Sequence, residues 1–285
     1  MKTWLLTGAS GYVGARLLKH PQALNASIIP CVRTSGTTVS AIPPVIADLS
    51  CSPLPTVVSP ALDAVIHLAQ SNNYRAFPQK ARDIVAVNIN STAELVEQAV
   101  NGGARVFIFA STANVYGSKP GFVTEESPTS PDSFYAASKL AAELLLQQYS
   151  NLIHIYILRI FTVYGPGQKG KLFQNIRDAV LKGNPISLAG EGLQITPIYI
   201  EDLIDIIVEC VAGKIRPGTY NVCGDDEVNL EDVARLIGEL SNSIPKFIKI
   251  PEKASRYCGS NKKLSEARKR KSFTPFRRGI LSVNN

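Results

Sequence analysis

The sequence predicts an α/β fold built on a doubly wound parallel sheet, and three observations predict it. Short apolar runs alternate with helical runs from residue 2 to residue 159, the order that builds a parallel sheet covered on both faces. The first apolar run breaks into Gly8-Ala9-Ser10-Gly11-Tyr12-Val13-Gly14, a strand, a glycine turn and a helix start. Small hydroxyl residues, Ser111 and Thr112, stand at the carboxyl end of a later apolar run, where ligands bind in such sheets.

Residues 2–7 form the first strand, and the helix after the glycine turn runs to about residue 19. Gly8 and Gly11 permit close backbone approach to a pyrophosphate at a helix N-terminus, and Gly14 permits tight helix–strand packing. Ser10, Tyr12 and Val13 complete that loop. Residues 27–32 form a second strand that ends at Arg33. In dinucleotide-binding folds an acid here takes the ribose 2′-hydroxyl, whereas an arginine accommodates a 2′-phosphate. Arg33 therefore leans toward NADP over NAD. Asp48, with Leu49 beside it, is a second polar stop after residues 45–47, placed to reach an adenine amino group.

Residues 63–69 read as a buried strand ending in His67-Leu68-Ala69. His67 sits in an apolar run, which fits a hydrogen-bonded core histidine better than a catalytic one. A helical run over residues 80–100 carries Asn88, and a strand over residues 105–110 leads to Ser111 and Thr112. A Pro/Ser/Thr-rich loop, residues 119–133, precedes a helix over residues 135–149 that opens with Tyr135 and Lys139. Spacing of i,i+4 puts both side chains on one helix face. An ammonium beside a phenol favours the phenolate and would pull the tyrosine pKa from about 10 toward neutrality. Such a pair can move a proton to or from a sugar-like hydroxyl.

After the strand over residues 153–159 and Phe161-Thr162-Val163-Tyr164-Gly165-Pro166 the pattern loosens. Helical runs cover residues 171–182, 201–212 and 229–240, with short strands near 186–188 and 219–223. The expected organisation is a nucleotide-binding domain over residues 1–165, with later contributions from about 186–223. Residues 166–285 are expected to form mainly a small C-terminal substrate-binding lobe that does not fold independently.

The 285 residues are 45% hydrophobic and 19% charged. No apolar run approaches the roughly 18 residues that span a membrane, and the apolar core near the N-terminus is too short for a signal peptide. Five cysteines without a Cys-x-x-Cys fit reduced thiols in a cytoplasmic protein, with neither a disulfide framework nor a metal site. The net charge of +7 is uneven: residues 245–285 hold twelve Lys/Arg against two Glu, +10, leaving −3 for residues 1–244. That segment is either a solvated basic face or an attraction for an anionic substrate such as a nucleotide diphosphate. Arg268-Lys269-Arg270-Lys271 comes without a nucleic-acid recognition motif.

The glycine loop, Asp48, His67-Leu68-Ala69, Thr112 and Tyr135-x-x-x-Lys139, in this order, resemble the extended short-chain dehydrogenase/reductase family. The resemblance is to its NAD-dependent epimerase/dehydratase branch, which acts on nucleotide sugars. Residues 158–166 and 197–203 resemble that branch too. The resemblance implies a Rossmann-like fold, with Tyr135 as general acid/base and Lys139 lowering its pKa while bonding the nicotinamide ribose. It implies that Thr112 orients the substrate oxygen, that Asn88 lies near the cofactor ribose, and that the protein is a homodimer with no nucleic-acid or membrane partner.

Two departures narrow it. Dehydratases of this branch carry an Asp-Glu pair directly after the catalytic threonine; here Ala113 and Asn114 stand there, which excludes the 4,6-dehydratase reading. Where relatives often place a phosphate-binding arginine, this chain has Ile195, so Arg256, Lys253 or Lys249 would have to supply the charge. The expected activity is that of a 4-epimerase or 4-ketoreductase on a nucleotide-activated sugar, with Thr162 and Arg256 as further substrate contacts. The alternatives are a reductase of a non-nucleotide carbonyl compound and a non-catalytic NAD(P)-binding protein.

Overall fold

The computed structural model describes residues 2–20, 25–37, 40–59, 62–269 and 271–283; Arg270 of the basic run lies outside them. The chain forms two compact units. The first comprises Met1–Val115, Thr129–Arg159 and Ile204–Tyr220, the second Tyr116–Pro128, Ile160–Leu203 and Asn221–Asn285.

In the first unit the elements run β1 (Thr3–Thr7), α1 (Tyr12–Leu17), β2 (Ser27–Val32), β3 (Val45–Ile46) and β4 (Ala64–His67). There follow α2 (Ala81–Val85), a π-helical turn (Ala86–Asn90), α3 (Ser91–Asn101), β5 (Val106–Thr112), α4 (Phe134–Gln147) and β6 (His154–Ile160). α4 starts where it does because Ser133 caps it, accepting the Ala136 N–H, which satisfies a donor the first turn would otherwise leave open. The π turn interrupts the helical run expected over residues 80–100 and carries Asn88; such turns often mark functional positions.

The later elements are β7 (Val163–Tyr164), α5 (Leu172–Lys182), β8 (Pro185–Ala189), β9 (Gln194–Ile195), β10 (Ile198–Tyr199) and α6 (Ile200–Val211). They continue with β11 (Gly218–Val222), β12 (Val228–Asn229), α7 (Leu230–Ser241), β13 (Lys246–Ile250), β14 (Arg256–Tyr257), α8 (Lys262–Ala267) and α9 (Phe276–Leu281).

The main sheet has seven strands in the order β11-β6-β5-β4-β1-β2-β3. β1 pairs in parallel with β2 on one side and β4 on the other. The chain therefore winds outward from β1 through β2 and β3, then returns to β4 and winds the other way. That reversal makes the carboxyl ends of β1 and β4 the switch point at which doubly wound sheets bind ligands. Every residue of β4 is buried, as a central parallel strand covered on both faces requires. Leu5, Val65, Phe107, Phe109 and Ile157 of the sheet share one core with Leu95 and Val96 of α3 and Leu146 of α4.

The second unit has its own core, in which Tyr164, Phe173, Ile176, Val233, Ile237, Phe276 and Ile280 pack together. Here β8 pairs in parallel with β13. The short strand near residues 186–188, read from the sequence as a contribution to the nucleotide-binding domain, thus joins a different sheet, whereas β11 joins the main one. Its partner lies about sixty residues downstream, beyond the reach of local pattern. Among the described residues no helix is long and apolar enough to cross a membrane.

Candidate functional site

The glycine turn closes β1 onto β4. Gly8 has φ +69°, and a Cβ there would lie 2.9 Å from the backbone nitrogen of Ala69. A Cβ on Gly14 would lie 2.3 Å from the Gly8 carbonyl oxygen and 2.8 Å from the Ala9 Cα, so α1 can pack this closely only with glycine there. The Gly11 N–H donates to the Gly8 carbonyl at 2.9 Å, and no side chain caps α1 at Gly11. The result is a bare backbone concavity at the switch point. It matches what a dinucleotide pyrophosphate needs, and this is the observation by which the chain fits such a cofactor.

Beyond the loop, Asp48 accepts the Ser50 N–H at 2.9 Å and the Ser50 hydroxyl at 2.8 Å. Those bonds and nearby Arg33 hold its carboxyl below the usual range, the Ser50 backbone donor first among them, against some burial. Arg33 is exposed at the end of β2. Leu49, Leu68 and Ala69 differ in exposure: Leu49 is buried in the first unit's core, while Leu68 and Ala69 are half-buried beside the Gly8 turn.

His67 is fully buried. Thr92 Oγ1 donates to the Asn88 carbonyl at 2.9 Å and so is left to accept from His67 Nε2 at 3.1 Å. On the other side Thr7 Oγ1 accepts the Ala69 N–H at 3.2 Å and lies 2.7 Å from His67 Nδ1. Each hydroxyl proton is thereby assigned, and the ring is neutral with its proton on Nε2. Burial first and Lys139 second push its pKa down to about 3 from 6.5. The sign of the resulting pH dependence follows: the folded pKa is depressed, so between about 6.5 and 3 the unfolded chain binds the extra proton. The stability His67 contributes is complete above the unfolded value and is lost as pH falls through that window. The thermal midpoint of His67→Asn should fall less steeply across this range than that of the wild type; parallel acid limbs would refute the assignment.

Thr112, at the end of β5, is buried and acts to lower the Tyr135 pKa. The Tyr135 hydroxyl donates to Gln70 Oε1 at 2.7 Å, and its ring packs against Tyr74 at 5.3 Å between centroids. Lys139 is 1% exposed, with its Nζ 4.0 Å from the Phe109 ring centroid. Thr112, Tyr135 and Lys139 thus belong to the carboxyl-end region of β5 and the first turns of α4.

The electrostatics reverse the expectation for Tyr135. Burial pushes its pKa up to about 12, with Tyr74 adding and Thr112 opposing. Burial also pushes Lys139 down to about 7, opposed by Glu143. The i,i+4 spacing brings the two Cβ atoms together, but the phenol turns toward Gln70 while the amine turns inward onto Phe109. Desolvation of both groups then outweighs the attraction the spacing alone suggests. In this geometry the tyrosine is a protonated donor.

Asn88, expected beside the cofactor ribose, is fully buried. Its Oδ1 accepts the Ser71 N–H at 2.9 Å, and its Nδ2 donates to Ser138 Oγ at 2.9 Å. One bond at each end of the amide ties it to Ser71 and Ser138. Thr162 is half-buried between β6 and β7, its carbonyl accepting the Ile198 N–H at 2.9 Å. Ile195 is buried in the second unit's core and holds no charge there.

Arg256 is already occupied: Nη1 and Nη2 engage Glu227 at 2.5 and 3.0 Å. Nη1 also donates to Gln194, and the guanidinium lies 5.2 Å from the Phe122 ring centroid. To take a diphosphate it would have to leave Glu227, which does not favour it as the phosphate clamp. Among the described residues no group of three or more His, Cys, Asp or Glu could hold a metal ion.

Sequence reasoning missed Gln70, Ser71, Glu143 and Arg159. Glu143 accepts from Arg159 Nη2 at 2.7 Å and from Arg159 Nε at 3.0 Å, both groups almost wholly buried. It also accepts from the Ser111 hydroxyl. A signal existed for Glu143, which stands one helical turn after Lys139; none existed for Gln70.

The profile of the NAD dependent epimerase/dehydratase family matches residues 4–223. The chain belongs to that family. Within the epimerase/dehydratase family it is similar to a Bacillus subtilis protein described as an uncharacterized UDP-glucose epimerase. The two are 34% identical over 187 residues, 63% of this chain and 59% of that relative. It is likewise 34% identical over 212 residues to a dTDP-glucose 4,6-dehydratase of Haemophilus influenzae, 67% of this chain and 62% of that one. The matched stretches span less than two thirds of both relatives. Its fold is that of the UDP-glucuronic acid 4-epimerase of Bacillus cereus solved with UDP-glucuronic acid and NAD. That structure has a TM-score of 0.86 at 24% identity, covering 98% of this chain and 97% of that one.

Proposed function

We propose that the protein is an NAD(P)-dependent epimerase or reductase acting at the C4 hydroxyl or ketone of a nucleotide-activated sugar. The observation that carries the reading is the Tyr135 hydroxyl, at the start of α4, in the same unit as Thr112 at the end of β5 and as a Gly8–Gly14 turn where Gly8 and Gly14 lie too close to backbone for a Cβ. The cofactor, when bound, supplies a hydride acceptor or donor. Gly8, Ser10, Gly11, Tyr12, Val13 and Gly14 would hold its pyrophosphate, and Arg33, Asp48 and the Leu68–Ala69 backbone its adenosine end. Thr112 orients the substrate oxygen, Tyr135 gives its proton to a C4 ketone or, once it has released that proton, takes one from a C4 hydroxyl as the phenolate, and Lys139 sets the charge behind it. Ala113 and Asn114 supply no acid or base for water elimination, which separates this reading from dehydration. The second unit, with Thr162, is assigned to the substrate.

Denaturing the purified protein and identifying what is released tests the reading. Retained NAD supports an epimerase, which returns the hydride to its own substrate; a site that arrives empty and takes up NADPH supports a reductase; no affinity for either refutes both. Arg33 favours NADP within this proposal. Arg33→Ala should weaken NADPH by about ten- to a hundredfold, the worth of a charge-assisted contact, and leave NADH unchanged. Equal losses for both would remove Arg33 from the selection.

We also propose a homodimer through α4, which presents Leu144 and Leu145 to solvent, 55% and 39% exposed. Sedimentation equilibrium would return a monomer mass if that face is not an interface. The five thiols, none in a disulfide, support a reducing, cytoplasmic compartment.

A further inference from the structure

Tyr135 and Gln70 are joined twice. Directly, the phenol donates to Gln70 Oε1 at 2.7 Å across 65 residues of sequence. Indirectly, the residue after Gln70 is tied back to the tyrosine's own helix. The Ser71 N–H can only donate, so it fixes Asn88 Oδ1 as its acceptor at 2.9 Å. Asn88 Nδ2 must then face Ser138 Oγ, which it meets at 2.9 Å. The Ser138 hydroxyl proton goes to the Tyr135 carbonyl at 2.7 Å. The circuit Tyr135, Gln70, Ser71, Asn88, Ser138 and back to Tyr135 is closed, and Asn88 and Ser138 are buried.

The residue before Gln70 is pinned as well, since the Ala69 N–H donates to Thr7 Oγ1. Ser71 Oγ donates to Asp83, which also accepts from Asn73 Nδ2 at 3.1 Å. A half-exposed glutamine at a strand end ordinarily samples several rotamers. This one has its backbone fixed on both sides and its side chain aimed at the phenol.

We infer that Gln70 is a positioning residue for the Tyr135 hydroxyl, holding the phenol as a protonated donor and yielding when a substrate oxygen takes its place. A primary amide suits that duty, because it accepts from a phenol through Oε1 and, turned over, donates to a phenolate through Nε2. It can accompany the proton's departure and return without being charged itself. Being neutral, Gln70 acts on the tyrosine's ionisation through this one hydrogen bond and adds no charge of its own. The inference rests on Tyr135 as the acid/base of the proposed reaction, but its test does not require turnover.

The ionisation of Tyr135 is isolated as the ultraviolet phenolate absorbance of each protein minus that of its Tyr135→Phe counterpart, followed against pH. Gln70→Ala removes the acceptor that favours the neutral phenol and admits water, so the phenolate should appear about one pH unit lower, the scale of a single hydrogen bond. Gln70→Glu adds a stronger acceptor and a negative charge, so it should appear at higher pH than in the wild type. Opposite displacements from the two variants support the assignment; a packing role alone has no reason to separate them in sign. Identical titrations in all three proteins, or displacement of both variants in one direction, would overturn it. If the titrations separate while the wild type turns over no nucleotide sugar, the inference stands and the proposed substrate falls.

Discussion

Tyr135→Phe should lower turnover of a nucleotide sugar by about 10²–10⁴-fold, the range that a positioned general acid/base contributes, while leaving the fold intact. Only the hydroxyl is removed. The ring still packs on Tyr74, and α4 keeps its Ser133 cap. What disappears is the donor to Gln70, a stability cost of roughly 0.5–1.5 kcal/mol. The effect should fall on the chemical step and not on cofactor retention, because the Gly8–Gly14 turn does not touch the substitution. Single-turnover measurement of nicotinamide absorbance on adding substrate separates the two. A variant that turns over as fast as the wild type would remove Tyr135 from the proton transfer altogether.

The second large effect is on stability. Arg159→Ala should destabilise the protein by about 3–5 kcal/mol, because it strands the buried Glu143 carboxylate without its cation. Glu143 is 0% exposed and receives both Nε and Nη2 of Arg159, so the stranded carboxylate lies away from bulk water. The Ser111 hydroxyl remains as one donor, which cannot offset a full charge. The double variant Arg159→Met with Glu143→Leu should lose less than Arg159→Ala or Glu143→Ala alone, since two charges leave the interior together. Denaturant titration of the three proteins checks this. A cost below about 1 kcal/mol for Arg159→Ala, the value of a surface pair, would contradict the burial argument. The pair also stands behind the site: Glu143 is the group that holds up the Lys139 pKa against burial, so its loss should reach the active region as well as the core.

The features that could be read from the sequence are those whose physics is local. The glycine turn declares itself because Gly8 has a positive φ and Gly14 lies against backbone, demands that only glycine meets. Thr112 declares itself by ending a strand, and Tyr135 and Lys139 by their i,i+4 spacing at the start of a helical run. Ala113 and Asn114 count as local evidence too, since an elimination needs acids at fixed positions. The rest depends on pairs distant in sequence. Gln70 meets Tyr135 across 65 residues and Asn88 meets Ser138 across 50, and neither contact has a spacing rule. The sense of the tyrosine shift is hidden from the sequence for the same reason: spacing gives the distance between Cβ atoms, while the pKa follows from how deeply the phenol and the amine are buried. The ion pair of Arg256 with Glu227, 29 residues away, likewise has no spacing rule.

Redox chemistry at the C4 carbon of a nucleotide sugar, with the proton handled by Tyr135, leaves a mark on the hydrogen at C4. With a UDP-sugar carrying deuterium on C4 and the label followed by nuclear magnetic resonance, the deuterium should either remain on C4 with the configuration inverted or appear on the nicotinamide ring, and Tyr135→Phe should suppress both. Deuterium lost to water, or a sugar left unchanged by the folded, cofactor-loaded wild type, would contradict it.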